Sequence, residues 1–159
     1  MSAGTPTQRV FVTGGSGFIG KHLVRALIAR QHHVTELTRS PSRAANDLLD
    51  TAAYEGALKG CDTVFHHAGK TGRAPREQYF DTNVDGTAVL LQAAERAGVR
   101  RFVFISTIAV KFPDLRLYHY AQSKAAAERL VLGSKMDSVI VRPTLVVGRE
   151  SGPTQLLMR

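Results

Sequence analysis

Two short segments of the 159-residue sequence carry residue types at spacings that could do chemistry. The first is Val12-Thr13-Gly14-Gly15-Ser16-Gly17-Phe18-Ile19-Gly20, in which G-x-x-G-x-x-G (Gly14, Gly17, Gly20) and G-x-G-x-x-G (Gly15, Gly17, Gly20) overlap. It follows a β-branched run and opens an amphipathic one, so the chain turns there from strand into helix. A pyrophosphate brought close to such a backbone, and a helix packed tightly on its strand, both exclude a β-carbon. The helix N-terminus adds unpaired amides and the positive end of a dipole. In a strand–turn–helix context the pattern points to dinucleotide binding, although a purely structural turn also uses glycines. The second segment is Tyr120-Ala121-Gln122-Ser123-Lys124, which sets a phenol and an ammonium four residues apart on one helical face. A phenol with a pKa near 10 exchanges protons poorly at neutral pH, and a nearby cation favours its ionised form. Tyr-x-x-x-Lys is common by chance; its weight here comes from the glycine turn upstream.

A dinucleotide site that prefers the 2′-hydroxyl form of the ribose places Asp or Glu about 20 residues beyond the glycines, at the end of the second strand. This sequence has Thr38-Arg39 there, with Arg43 one turn later, while Glu36 falls earlier, within the strand. An arginine at that point stacks on adenine and pairs bidentately with a 2′-phosphate, so NADP is expected and NAD is the alternative. A solvated surface arginine fits the same position.

The elements that must hold these segments alternate along the chain. Residues 9–13 (RVFVT), 33–38 (HVTELT), 62–67 (DTVFHH), 101–107 (RFVFIST) and 138–147 read as strands. Residues 18–30, 48–58, 81–97 and 118–132 read as helices, with Gly98 and Gly133 closing the last two. Strands and helices in alternation with short links predict an α/β fold: a Rossmann-like, doubly wound parallel sheet with helices on both faces. No linker, repeat or low-complexity tract divides residues 1–159, so one domain is expected.

With 43% hydrophobic and 21% charged residues the composition excludes disorder, and no apolar run reaches the length of a membrane span. A single cysteine, Cys61, excludes an internal disulfide framework and a multi-cysteine zinc site, and His66 and His67 read as strand residues, so no metal is expected. Residues 1–9 lack the apolar core of a secretory signal, and a cytoplasmic setting is expected. The 21 Lys and Arg against 13 Asp and Glu give a net charge of +8. These basic residues are scattered, with tight knots only at Arg39/Arg43, Arg73/Arg76 and Arg100/Arg101, so no nucleic-acid partner is expected.

Further segments extend the pattern: Asn46-Asp47-Leu48-Leu49-Asp50, the run Gly60-Cys61-Asp62-Thr63-Val64-Phe65-His66-His67-Ala68-Gly69, Asn83-Val84-Asp85-Gly86-Thr87 and Arg142-Pro143. With the glycine turn, residues 101–107 and the Tyr–Lys pair, they cover nearly the whole chain. In this combination the sequence resembles the extended branch of the short-chain dehydrogenase/reductase superfamily, the epimerase/dehydratase and 3β-hydroxysteroid dehydrogenase/dihydroflavonol-reductase-like proteins. The resemblance implies that Gly14, Gly17, Phe18, Ile19 and Gly20 form the pyrophosphate turn and that Asp47 and Leu48 flank adenine. It implies further that Ala68 and Gly69 end a strand beside the cofactor ribose and that Asn83 and Pro143 lie near the nicotinamide. Tyr120 then corresponds to the catalytic acid/base and Lys124 to the residue that holds the nicotinamide ribose and depresses the tyrosine pKa. Thr107, or the adjacent Ser106, corresponds to the hydroxyl that steadies the reacting oxygen. Each has a plainer reading too: Thr107 and Ser106 as a strand end, Asn83 as a helix N-cap.

The sequence departs from that family at three places. Between Arg43 and Asn46 only Ala44 and Ala45 stand where the family runs a strand, so one strand of the sheet is expected to be missing. Thr107 precedes Tyr120 by 13 residues, with a short loop between them. The chain ends at Arg159, so the family's C-terminal substrate domain is expected to be largely absent. The leading functional expectation is an NADP-dependent oxidoreductase acting on a hydroxyl or ketone of a small molecule, steroid- or flavonoid-like. The alternatives are a nucleotide-sugar epimerase or dehydratase, and a non-catalytic dinucleotide-binding module. Apolar helices around Leu90 and Leu130 match the family's dimer-forming helices, which makes a homodimer a further expectation; burial in a monomer core explains the same residues.

Overall fold

The computed structural model of the protein describes residues 6–37 and 48–148. Its strands are β1 (Arg9–Thr13), β2 (His33–Leu37), β3 (Thr63–His66), β4 (Arg101–Ile105) and β5 (Asp137–Val141). They form one sheet in the order β2-β1-β3-β4-β5, every pair parallel. The helices are α1 (Phe18–Ala29), α2 (Glu55–Leu58), α3 (Arg76–Phe80), α4 (Gly86–Arg96) and α5 (His119–Leu132).

Alternation along the strands sorts the core into two layers. Phe11, Val64, Phe102 and Phe104 face one side, where they pack with Leu90, Leu91, Ala127 and Val131 of α4 and α5. Val10 and Val12 face the other side and pack with Val24 and Leu27 of α1. Helices therefore cover both faces, as a parallel sheet requires. Leu90 lies within this chain's own core, while Leu130 is partly exposed. From β1 the chain crosses to β2 on one side, and β3 takes the place on the other side of β1. The crevice between the carboxyl ends of β1 and β3 is thus the topological switch point of the sheet, the place where such folds bind ligands.

Several boundaries differ from the sequence reading. The helix expected over residues 48–58 is a 3-10 turn (Thr51–Ala53) followed by the single turn of α2. The helix expected from residue 81 starts earlier, after Pro75, and carries a π-helical turn (Asp81–Asp85) between α3 and α4. The last strand stops at Val141 rather than continuing to residue 147, because Pro143 has no amide to continue the ladder; its carbonyl instead accepts the Ile108 amide at 3.0 Å. The strand expected to be missing falls between Arg43 and Asn46, outside the described residues.

One buried polar chain crosses the larger layer. Thr13 and His66 are register partners in the β1–β3 ladder and both face α4. His66 Nδ1 lies 2.7 Å from Thr13 Oγ1, and His66 Nε2 lies 2.9 Å from Thr87 Oγ1. The Thr87 hydroxyl spends its proton on the Asn83 carbonyl at 2.7 Å, so it accepts from His66. That places the imidazole proton on Nε2 and makes Nδ1 the acceptor from Thr13. Burial first, then the charge of Lys124 and the neighbouring His67, hold His66 well below its usual pKa, which keeps it neutral. Replacing Thr87 by Val removes the acceptor and leaves a buried N–H unpaired. The substitution is expected to lower stability by about 1–3 kcal/mol in urea denaturation; an unchanged midpoint would show that the chain contributes nothing to the fold.

Candidate active site

The glycine turn is built by close backbone approach. Gly14 has a φ of +73°, in the left-handed region, and a Cβ on it would stand 2.6 Å from the Ala68 amide nitrogen and 2.8 Å from the His67 carbonyl carbon. A Cβ on Gly20 would run into the Gly14 carbonyl oxygen, so the first turn of α1 rests on the loop itself. The Gly17 amide donates to the Gly14 carbonyl at 3.1 Å and closes the turn. Gly17 caps α1 with no side-chain hydrogen bond, and no acidic residue stands in the helix's first turn, where Phe18, Ile19 and Gly20 lie. A close-approach cradle of glycines at the N-terminus of a 12-residue helix fits a pyrophosphate.

Beside this turn the strand end after β3 meets two helices. The Ala68 amide donates to Thr13 Oγ1 at 3.1 Å, which extends the polar chain of His66 to the rim of the crevice. A Cβ on Gly69 would stand 3.0 Å from Asn83 Oδ1 and 4.0 Å from Lys124 Nζ. Asn83 is buried inside the π-helical turn and is not a helix N-cap. Its Oδ1 accepts the Lys70 amide at 2.7 Å, and its Nδ2 donates to the Lys70 carbonyl at 3.2 Å and to Ser123 Oγ at 2.9 Å. Ser123 in turn donates to the Tyr120 carbonyl at 2.8 Å. Gly14, Ala68, Gly69, Asn83, Lys124 and the Tyr120 turn of α5 thereby form one connected rim.

The electrostatics of the Tyr–Lys pair differ from the expectation. The Lys124 ammonium is buried 4.0 Å above the Phe104 ring. Burial pulls its pKa down to about 7 against the support of the Glu128 carboxylate. The Tyr120 ring lies 6.1 Å from Tyr79 and 6.0 Å from Tyr118, centroid to centroid. Burial, then Tyr118 and Tyr79, raise its pKa above the ordinary phenol value, and Lys124 is not among the groups that shift it. The cause is geometric: a helix face brings the two residues together, but the long lysine side chain runs inward over Phe104.

Thr107 caps a 3-10 turn (Ile108–Lys111), its Oγ1 accepting the Ala109 amide at 3.2 Å. The next amide, Ile108, is the one that Pro143 accepts, so Thr107 and Pro143 come together. Ser106 turns inward instead. Its hydroxyl is buried and near enough to Glu128 to lower that carboxyl, without the alignment of a full hydrogen bond. Leu48 packs into the core against Gly86, while Arg39 and Asp47 lie outside the described residues.

Four neighbours of the candidate site were given no role in it by the sequence reading. Glu36, assigned only to the interior of a strand, pairs with Val12 in register and brings its carboxylate against Gly15. Glu128 and Arg142 form a bidentate pair at 2.8 and 2.7 Å, with the Glu128 side chain 8% exposed. The spacing Lys124-x-x-x-Glu128 on one helix face was the available signal. His67, read as a strand residue, places Nε2 4.0 Å from the position of a Cβ on Gly17. Among the described residues no three His, Cys, Asp or Glu side chains are grouped closely enough to hold a metal ion, and no helix is long and apolar enough to cross a membrane.

Residues 14–158 match the model of the NAD(P)H-binding family. The chain is 36% identical over 90% of its length to a 4-hydroxy-2-methyl-3-oxo-4-farnesyl-3,4-dihydroquinoline-1-oxide ketoreductase of Stigmatella aurantiaca, covering 52% of that protein. It is 33% identical over 91% of its length to a 3-beta-hydroxysteroid dehydrogenase of Mycolicibacterium neoaurum, covering 49% of it. The chain thus spans about half the length of the curated relatives it matches. Among solved structures, the Bordetella bronchiseptica enzyme WbmH in complex with NAD+ superposes with a TM-score of 0.81 at 26% identity, over 96% of this chain and 62% of that one.

The buried lysine gives stability a pH dependence with a defined sign. Unfolded, Lys124 titrates near 10.5, and folded near 7, so between these values the unfolded chain binds more protons. Stability therefore rises with pH across that window. The melting temperature is expected to increase by roughly 5 °C between pH 7 and pH 9, and Lys124→Met is expected to flatten that rise. Equal slopes in the two proteins would rule out the burial of the amine as its source.

Proposed function

The chain belongs to the NAD(P)H-binding family, within the extended short-chain dehydrogenase/reductase superfamily, and we propose that it is an NADP-dependent oxidoreductase acting on a hydroxyl or ketone of a small molecule. The supporting observation is the juxtaposition at the switch point: the glycine cradle of Gly14 and the hydrogen-bonded rim from Gly69 through Asn83 and Ser123 to the Tyr120 turn. In this reading the amides around Gly14, Gly17, Phe18, Ile19 and Gly20 hold the pyrophosphate, Asp47 and Leu48 flank adenine, and Arg39 pairs with a 2′-phosphate. Ala68, Gly69, Asn83, Lys124 and Pro143 line the nicotinamide side. The bound nicotinamide supplies or takes the hydride, which no side chain can do.

Tyr120 exchanges the proton at the substrate oxygen, and the Thr107 hydroxyl donates to that same oxygen. The raised pKa of Tyr120 keeps its phenol protonated at neutral pH. That state suits reduction, in which the phenol gives its proton to the oxygen of the carbonyl. Oxidation needs the phenolate and is favoured by higher pH. Ser123 and Asn83 fix the helical turn from which Tyr120 projects, and a ketone- or sterol-sized substrate agrees with the names of the relatives. Tyr120→Phe is expected to lower kcat by a factor of about 100 or more while dinucleotide affinity stays within about twofold. Loss of binding in step with turnover would assign Tyr120 a structural role only.

A second reading, an NAD-dependent enzyme of the epimerase/dehydratase kind, is favoured by one observation: the Glu36 carboxylate beside Gly15. A carboxylate there accepts from ribose hydroxyls and repels a 2′-phosphate. Calorimetric titration with NADPH and NADH separates the two. NADPH binding at least tenfold tighter than NADH, with the preference lost in Arg39→Ala, supports the first reading. The reverse preference, lost in Glu36→Gln, supports the second, and binding of either nucleotide without turnover on a carbonyl and alcohol panel leaves a dinucleotide-binding module.

A further inference from the structure

We propose, on the NAD(P)H-binding reading above, that His67 is a binding residue for the dinucleotide pyrophosphate, an imidazole donor that acts beside the backbone amides of the glycine turn. His66 ends β3 and turns its ring into the larger core layer, so the alternation of the strand sends His67 to the other face, that of α1. The His67 amide still donates to the Thr13 carbonyl at 3.1 Å, which holds the residue in line with the β1–β3 ladder. Its ring then stands over the glycine turn. Nε2 lies 4.0 Å from the position of a Cβ on Gly17, the residue that caps α1. A side chain at position 17 would stand between the turn and this imidazole, its Cβ 3.3 Å from the Gly14 carbonyl oxygen on the other side.

The other ring nitrogen decides the tautomer. His67 Nδ1 is buried and has no hydrogen-bond partner among the described residues. A buried lone pair without a donor is tolerated more readily than a buried N–H without an acceptor. The proton therefore sits on Nε2, the nitrogen beside Gly17, and gives the crevice a side-chain donor in addition to the backbone ones. Among the described residues, the charged and titratable groups that face this region are Lys124 from α5, His66 from β3, and Glu36 from β2, whose carboxylate lies against Gly15. Burial, then the charge of Lys124, hold His67 below its usual pKa, so the ring is neutral at neutral pH. A phosphodiester at Gly17 would accept from Nε2 and bring a negative charge to the side of the ring on which the charge of Lys124 acts.

The test is calorimetric titration of the full chain with NADPH, NADH, ADP-ribose and adenosine, in the wild type, His67→Leu and His67→Gln, each variant first checked for an unchanged melting transition. His67→Leu is expected to weaken the preferred dinucleotide and ADP-ribose about tenfold and to leave adenosine within about twofold. His67→Gln, whose amide keeps a donor at similar reach, is expected to recover most of the loss. Wild-type affinity in His67→Leu, a Gln variant as weak as the Leu variant, or an equal loss for adenosine would each overturn the role of His67 and leave the NAD(P)H-binding reading standing. Failure of the wild type to bind any dinucleotide would overturn that reading and the role of His67 with it.

Discussion

The pairing of Thr13 with His66 is the contact on which the rest of the site depends. These residues are the last rungs of the β1–β3 ladder, and their side chains meet because parallel register sets them side by side on the same face. Every hydroxyl and nitrogen in the chain has one consistent role: the Ala68 amide to Thr13, Thr13 to His66, His66 to Thr87, and Thr87 to the Asn83 carbonyl. Only a neutral, Nε2-protonated imidazole satisfies that direction, and burial keeps the ring neutral. The consequence reaches past stability. The same links fix the height of Ala68 against Gly14 and the orientation of the π-helical turn that carries Asn83. A fully satisfied buried network has one low-energy arrangement, and so it sets the crevice walls before any ligand enters.

That arrangement also explains why the π-helical turn lies at Asp81–Asp85. A wider turn there lets the Asn83 amide face inward, bridging the Lys70 backbone on one side and Ser123 on the other. An uninterrupted α-helix would carry Asn83 past this position. The irregular turn thus joins the strand end after β3 to α5, the element that bears Tyr120 and Lys124, and such turns recur at functional sites.

Much of the fold was readable from the sequence because it rests on backbone physics. The glycine turn, the alternation of strands with helices, and the break at Pro143 follow from residues that restrict or free the chain, and the five described strands lie at or within two residues of the expected starts. What escaped depends on where side chains go after the backbone is set. Glu36 read as the interior of a strand because its reach to Gly15 is a property of the β1–β2 register. His67 read as one more strand residue because the place of its ring beside Gly17 follows only from the strand's alternation. The single-turn α2 was overestimated because apolar residues such as Leu48 and Leu58 mark burial without specifying a continuous helix. Tyr120 and Lys124 were singled out by their spacing together with the upstream glycine turn, and neither reports where a lysine side chain extends.

Burial acts on those two groups in opposite directions for one reason: it disfavours the charged form of each. The amine falls to about 7 and the phenol rises, so near neutral pH the lysine is only partly charged while the phenol keeps its proton. A lysine can lower a neighbouring phenol only while it carries its proton. The support for that proton comes from Glu128, one helical turn along α5, but Arg142 already engages both carboxylate oxygens of Glu128. The fork therefore sets how much of the Glu128 charge reaches Lys124, and it does so from the residue next to Pro143. The strand exit after β5 and the charge state of the Tyr–Lys pair are in this way linked through a single carboxylate. A change in the position of Arg142 alters the field at Lys124 first, and at Tyr120 only through it.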